Sequence, residues 1–164
     1  MTSVTATIRV LTVRQPWAWA IVRGGKDVEN RSRNIAGAYR GLVAIHAALA
    51  HDVLALVDPP QVLETAQRDA IDREGAWEAS YWMDDRGAIV GVVDLVDVHR
   101  AELHATAARD LVAGWSPWAE RNAWHLVLAN PRPFADLVPA KGRLGLWRPD
   151  EALRAAILDQ VGAV

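Results

Sequence analysis

The hydrophobic positions change period several times along the chain, and each change marks an element. Val10 to Val13 is a short apolar run that reads as a strand. Pro16 then stands where a helix can begin, because its missing N–H falls among donors a first turn leaves unpaired and its φ is already helical. The run Trp17 to Val22 predicts a short helix, stopped by Gly24-Gly25. Lys26 to Arg31 reads as a turn followed by a polar strand, and Tyr39 to His46 as a more apolar strand. Ala47 to Val57 has helix-forming composition and stops at Asp58-Pro59-Pro60. From Gln61 to about Trp82, Val62, Leu63, Ala66, Ala70 and Ile71 recur at three and four residues, the spacing of one helical face.

The strongest strand is Ala88 to His99, rich in β-branched residues and at first apolar on both faces, which suits a central position. Asp94 and Asp97 then enter on opposite faces, and Gly91 marks a bulge or a close backbone approach. Ala101 to Ala113 reads as a helix, with Leu103, Ala107 and Leu111 in line. Ala123 to Ala129 is a strand closed by Asn130-Pro131-Arg132-Pro133. Leu144 to Trp147 is a short strand, and Asp150 to about Val161 a helix with acids in its first turn, as the helix dipole favours. Irregular alternation of about six short strands with four helices predicts an α+β fold, a small, partly closed β-barrel surrounded by helices. The expected organisation is one domain over 1–164, with a helical insertion at about 47–83 and a C-terminal helix from about 150.

Composition removes several function classes. The 164 residues are 51% hydrophobic and 23% charged, as in an ordinary globular domain, and include no cysteine. Thiolate metal sites and disulfides are therefore excluded. The histidines at 46, 51, 99, 104 and 125 lack metal-ligand spacing, and there is no P-loop, GxGxxG or GxSxG pattern. No metal and no cofactor are expected. No apolar run approaches a membrane span and Met1 to Ile8 lacks the apolar core of a secretory signal, so no membrane partner and a cytoplasmic location are expected. The net charge of −2 gives no bulk case for nucleic acid, but its distribution is uneven. Residues 1–41 carry seven basic side chains against two acidic ones, whereas residues 42–100 carry four against eleven. A basic first quarter can attract an anion locally.

Candidate chemistry gathers in that basic quarter. Strand parity puts Glu29 and Arg31 on one face with Asp27, and Lys26 at the strand's entry can swing to join them. A carboxylate between a lysine and an arginine can act as a general base or hold a hydroxyl, while the cations hold an anion. The same residues would also suit a plain ion-pair ladder on an edge strand. Arg14-Gln15-Pro16-Trp17 places a guanidinium and an amide before a helix N-terminus, where an anion fits; simple capping by Gln15 is the other reading. Eight tryptophans stand against one phenylalanine and two tyrosines. Trp17 and Trp19 lie two apart on a helix and point away from each other, so one belongs to the core and the other to a rim, where an indole can stack on a nucleobase. His46, on the face opposite Val43 and Ile45, is either a proton shuttle or a buried, satisfied imidazole.

The runs Leu11-Thr12-Val13-Arg14-Gln15-Pro16-Trp17, Gly25-Lys26-Asp27-Val28-Glu29-Asn30-Arg31, Tyr39-Arg40-Gly41 and Ile45-His46-Ala47 together resemble the ASCH domain, named for homology to the activating signal cointegrator. Pro117-Trp118, Trp124-His125-Leu126 and Lys141-Gly142-Arg143-Leu144-Gly145-Leu146-Trp147 resemble the closing strands of that family. The resemblance implies a PUA-like fold with a cleft beside the barrel, lined by the GxKxxExR residues of Gly24 to Arg31, and binding of RNA or other nucleic acid. Some small relatives are amidohydrolases acting on acetylcytidine with a Lys, a Thr and a Glu. Their Lys corresponds to Lys26, but their Thr falls on Glu29, so the hydroxyl nucleophile is missing. Ribonuclease activity is also associated with relatives.

The leading expectation is therefore an RNA- or modified-nucleotide-binding module. Arg14, Gln15, Pro16, Trp17, Lys26, Glu29, Arg31, Arg40 and Lys141 would contact the ligand, with single-stranded DNA or a nucleoside as the further ligands expected after RNA. The alternative is a hydrolase acting on a nucleoside or RNA through Lys26, Glu29 and His46. A third reading is a protein-interaction domain that meets a protein partner through exposed tryptophans.

Overall fold

The computed structural model describes residues 7–77, 84–100 and 116–162. Among the described residues, six strands and four helices follow one another as β1 (Arg9–Gln15), α1 (Trp17–Val22), β2 (Val28–Arg31), β3 (Gly41–His51), α2 (Val53–Val57), α3 (Gln61–Glu74), β4 (Ala88–Arg100), β5 (Trp124–Pro139), β6 (Leu146–Trp147) and α4 (Glu151–Gly162). The strands form one sheet in the order β2-β5-β4-β3-β1-β6. Only β1 and β3 run parallel among these pairs; the others are antiparallel. The sheet is curled, because Arg31 of edge strand β2 donates from Nη2 to the Thr12 carbonyl of β1, near the other end of the strand order, at 3.2 Å. The result is a mixed α+β half-barrel with an open seam between β2 and β1.

Alternation along the strands sorts their apolar residues into two layers. Leu11, Val13, Val43, Ile45, Val93 and Leu95 pack with Ile21 of α1 on the concave side. Val10, Ala44, Ile89, Val92 and Phe134 form the other layer, covered by Ile157 of α4. A third cluster joins Trp19 of α1, Ala55 of α2, Leu63 and Ala70 of α3, and Trp118. As the two-residue spacing requires, Trp19 is in the core while Trp17 is only half-buried. α4 begins as its sequence suggests, with Asp150 Oδ1 accepting from the Leu153 amide at 2.9 Å and Glu151 in the first turn.

Several boundaries differ from the sequence reading. α3 stops at Glu74, where Gly75 takes a φ of 91°, and does not run unbroken to Trp82 as expected. Residues 47–51 continue β3 instead of opening a helix. Pairing of Ala47 with Ala88 and Val13, and of His51 with Gln15, overrides the helix propensity of an alanine-rich run. Helix then starts at Val53, where Asp52 accepts from the Ala55 amide at 3.3 Å. β5 does not stop at Asn130 but passes through Pro131 and Pro133 to Pro139. Its ladder with β4 shifts register three times, and such irregular positions tolerate residues without an N–H. Gly91 sits at one of these shifts, where a Cβ would lie 2.7 Å from the Arg132 carbonyl oxygen. The helix expected over Ala101–Ala113 lies outside the described residues.

Candidate functional site

A cleft of about 610 Å³ occupies the seam. Its floor is built by the turn and strand that follow α1. Gly25 takes a positive φ of 76°, which glycine adopts without the steric cost of a Cβ, and this reverses the chain into β2. Lys26 is thereby folded inward and is 5% exposed. Its Nζ donates to the Val28 carbonyl and to Glu29 Oε2, the latter at 3.1 Å. Arg31, two residues along the same strand face, reaches Glu29 Oε1 at 3.0 Å. The side chain of Glu29 is 10% exposed, so one buried carboxylate is clasped by two cations. Each carboxylate oxygen keeps capacity for a further donor, since each can accept two. Arg31 Nε is buried without a partner at this floor.

The walls come from distant parts of the chain. Trp17 lies under Lys26, whose Nζ is 5.8 Å from the indole centroid, a cation–π distance. The Trp17 Nε1 donates to Asp52 Oδ2 at 2.8 Å. Asp52 therefore fixes the tryptophan and starts α2 with the same carboxylate. Donation by Trp17 holds the Asp52 carboxyl below its usual range; the backbone amides of Ala55 and Leu54 and the nearby Arg14 add to this, against opposing burial. The opposite wall is residues 117–120. Asn30 of β2 pins it, donating from Nδ2 to the Trp118 carbonyl at 2.8 Å and accepting from the Glu120 amide at 3.0 Å. Behind it, His125 Nε2 donates to the Glu120 carbonyl at 2.7 Å, because a carbonyl can only accept. The mouth carries Arg14 and Arg143, the latter anchored through its amide to Thr12 Oγ1 at 3.2 Å. The lining thus holds four cations, Arg14, Lys26, Arg31 and Arg143, against the carboxylates of Glu29, Asp52 and Glu120.

Of the residues singled out in the sequence, Arg14, Trp17, Lys26, Glu29 and Arg31 meet at this cleft. The others do not. Gln15 is fully buried, with Oε1 accepting from the Trp19 amide at 2.9 Å and Nε2 donating to the Asp85 carbonyl at 2.8 Å. It caps α1 and ties it to the segment before β4, and Pro16 is buried beside it. Arg40 is exposed and 3.7 Å from Asp97, and Lys141 is exposed outside the cleft lining. His46 lies on the face of the sheet away from Val43 and Ile45, its Nε2 donating to the Ala140 carbonyl at 2.8 Å. Gly142 closes over its ring, and His46 joins neither Lys26 nor Glu29. Sequence reasoning passed over Asp52, Trp118, Glu120 and Arg143 as site residues. Asp52 alone had a local signal, the carboxylate three residues before Ala55 at a helix start. Among the described residues, no cluster of three or more His, Asp or Glu could hold a metal ion. No described helix is long and apolar enough to cross a membrane.

A curled six-stranded sheet with helices on both faces and a clasped carboxylate in its open seam defines a small α+β half-barrel domain with a single-sided cleft. The chain belongs to the ASCH domain family, whose pattern it matches over residues 11–136. Solved structures of the ASCH protein from Zymomonas mobilis share this fold. A tyrosine-to-phenylalanine variant superposes with a TM-score of 0.53 at 14% identity, covering 93% of this chain and 97% of that one. The unaltered protein gives 0.50 at 13% identity, covering 93% and 94%. A serine-to-alanine variant gives 0.51 at 14% identity, covering 94% and 96%. No curated protein matches the chain in sequence.

Proposed function

We propose that the seam cleft binds RNA, taking one nucleotide with its base toward Lys26, Glu29 and Arg31 and its phosphate toward Arg14 and Arg143. The observation that carries this reading is the buried floor. It offers acceptors on Glu29 beside donors on Lys26 and Arg31, the mixed pattern that a base edge can meet. Trp17 and Trp118 supply aromatic walls, and Arg14 and Arg143 stand at the mouth of a lining that holds four cations against three carboxylates. The PUA-like architecture of ASCH domains, generally an RNA-binding one, supports the same class of ligand. Binding of mixed-sequence single-stranded RNA, followed by tryptophan quenching against salt, tests it. Neutralising that one phosphate gives a log–log salt slope of about −0.7, which Arg14→Ala combined with Arg143→Ala removes. Salt-insensitive binding, or none, refutes the proposal.

A second reading, hydrolysis of a nucleoside or RNA, draws on the approach of Lys26 to Glu29 at 3.1 Å. Glu29 would accept a proton from the attacking group and Lys26 would stabilise the developing negative charge. Comparison of acetylcytidine hydrolysis and RNA cleavage in the wild type, Lys26→Ala and Glu29→Ala decides it. Equal rates in all three remove both residues from catalysis.

A further inference from the structure

The seam cleft has a neighbour. A second hollow of about 670 Å³ lies against the first turns of α3, and the two share Pro60, Val62, Pro117 and Trp118 as a common wall. A ligand leaving the first cleft over this saddle enters the second directly. The charge of the two differs sharply. Among the described residues, the seam cleft is lined by four cations, whereas Asp69 is the one ionisable side chain lining the second hollow, accompanied by the polar Gln61 and Thr65. Thr65 Oγ1 already donates to the Gln61 carbonyl at 2.9 Å, so toward a ligand it accepts. With the Asp69 carboxylate, the second hollow therefore presents acceptors to donors such as ribose hydroxyls and base amino groups, and repels phosphate.

We propose that this second hollow seats the neighbouring nucleotide, so that the site reads a single RNA strand of at least two nucleotides laid across the Val62–Trp118 saddle. Its phosphates run on the Arg14 and Arg143 side, and the second ribose and base face Thr65 and Asp69. The proposal rests on the RNA reading of the seam cleft. It adds to it a minimum ligand length and a preference for a sugar bearing a 2′-hydroxyl, which can donate to Asp69.

The test compares mixed-sequence RNA pentamers with an equimolar mixture of nucleoside 5′-monophosphates, both read by tryptophan quenching. The wild type should bind the pentamers at least about tenfold more tightly, the gain expected when one more base is seated. Thr65→Trp, a change at an exposed position that fills the second hollow, should bring pentamer affinity down to the monophosphate level and leave monophosphate binding within about twofold. Asp69→Ala leaves the hollow open and should narrow the preference for RNA over DNA pentamers of the same sequence. If monophosphates bind but pentamers gain nothing, or if Thr65→Trp weakens both ligands equally or neither, the second seat is overturned while the seam cleft stands. If the wild type binds neither ligand, the reading of the seam cleft fails and the second seat falls with it.

Discussion

Replacing Glu29 by Gln keeps the shape of the side chain and removes its charge, leaving two cations without their common carboxylate. The expected cost follows from burial. The Lys26 side chain is 4% exposed and that of Glu29 10%, so neither can turn to water without opening the turn at Gly25. Removing one partner of a buried pair costs about 3–5 kcal/mol, because the other charge is left uncompensated. Arg31, whose side chain is 28% exposed, can recover hydration and brings the expectation to the lower end, about 3 kcal/mol. In a domain of this size that lowers Tm by about 6–12 °C. Urea denaturation should show a lower midpoint with an unchanged slope. The double change Lys26→Met with Glu29→Gln should be less destabilising than the sum of the two single changes by about 2 kcal/mol, since it leaves no unpaired ammonium. A cost below about 1 kcal/mol for Glu29→Gln, or strict additivity in the double variant, refutes the reasoning, because both would mean that the pair is solvated.

Gly91→Ala should destabilise by about 1–3 kcal/mol in the same assay, because its Cβ would meet the Arg132 carbonyl oxygen at 2.7 Å and Pro133 Cα at 3.0 Å, both backbone atoms. Asn30→Ala strands the Glu120 amide and the Trp118 carbonyl; it should cost about 1–3 kcal/mol and speed hydrogen exchange at the Glu120 amide. Asp52 has a depressed folded-state pKa, so its contribution is present above the ordinary carboxylate range, roughly pH 4, and is lost as pH falls through the lower folded value. Asp52→Asn should flatten that part of the acid limb in urea stability measured between about pH 2 and 6, and an unchanged limb would contradict the assignment.

The parts of the site written within one strand were legible in the sequence. Alternation puts Glu29 and Arg31 on one face, and the glycine pair before Lys26 allows the inward turn that joins them. Parity also placed His46 correctly relative to Ile45, but which face borders the cleft depends on how the sheet curls, and a strand does not encode that locally. The wall at Trp118 was hidden for another reason. Its link to Asn30 spans 88 residues and consists of an amide side chain bonding to backbone, which leaves no composition signal. Pro131 and Pro133 were misleading because a rule for regular ladders was applied to a ladder with three register shifts. Ala47 to Ala50 lost its local helical preference to pairing on both sides of β3.

The parallel pairing of β1 with β3 joins residues 34 positions apart, from Arg9 with Val43 to Val13 with Ala47. Everything on the cleft floor, from Lys26 through Arg31, lies inside the loop which that pairing closes. Closing it costs about 3 kcal/mol of chain entropy beyond a constant term, before any strand contact compensates. The floor therefore cannot mature as a local hairpin: the Lys26–Glu29–Arg31 cluster should acquire native protection only as the distant β1–β3 register forms, and folding rate and site assembly become one event.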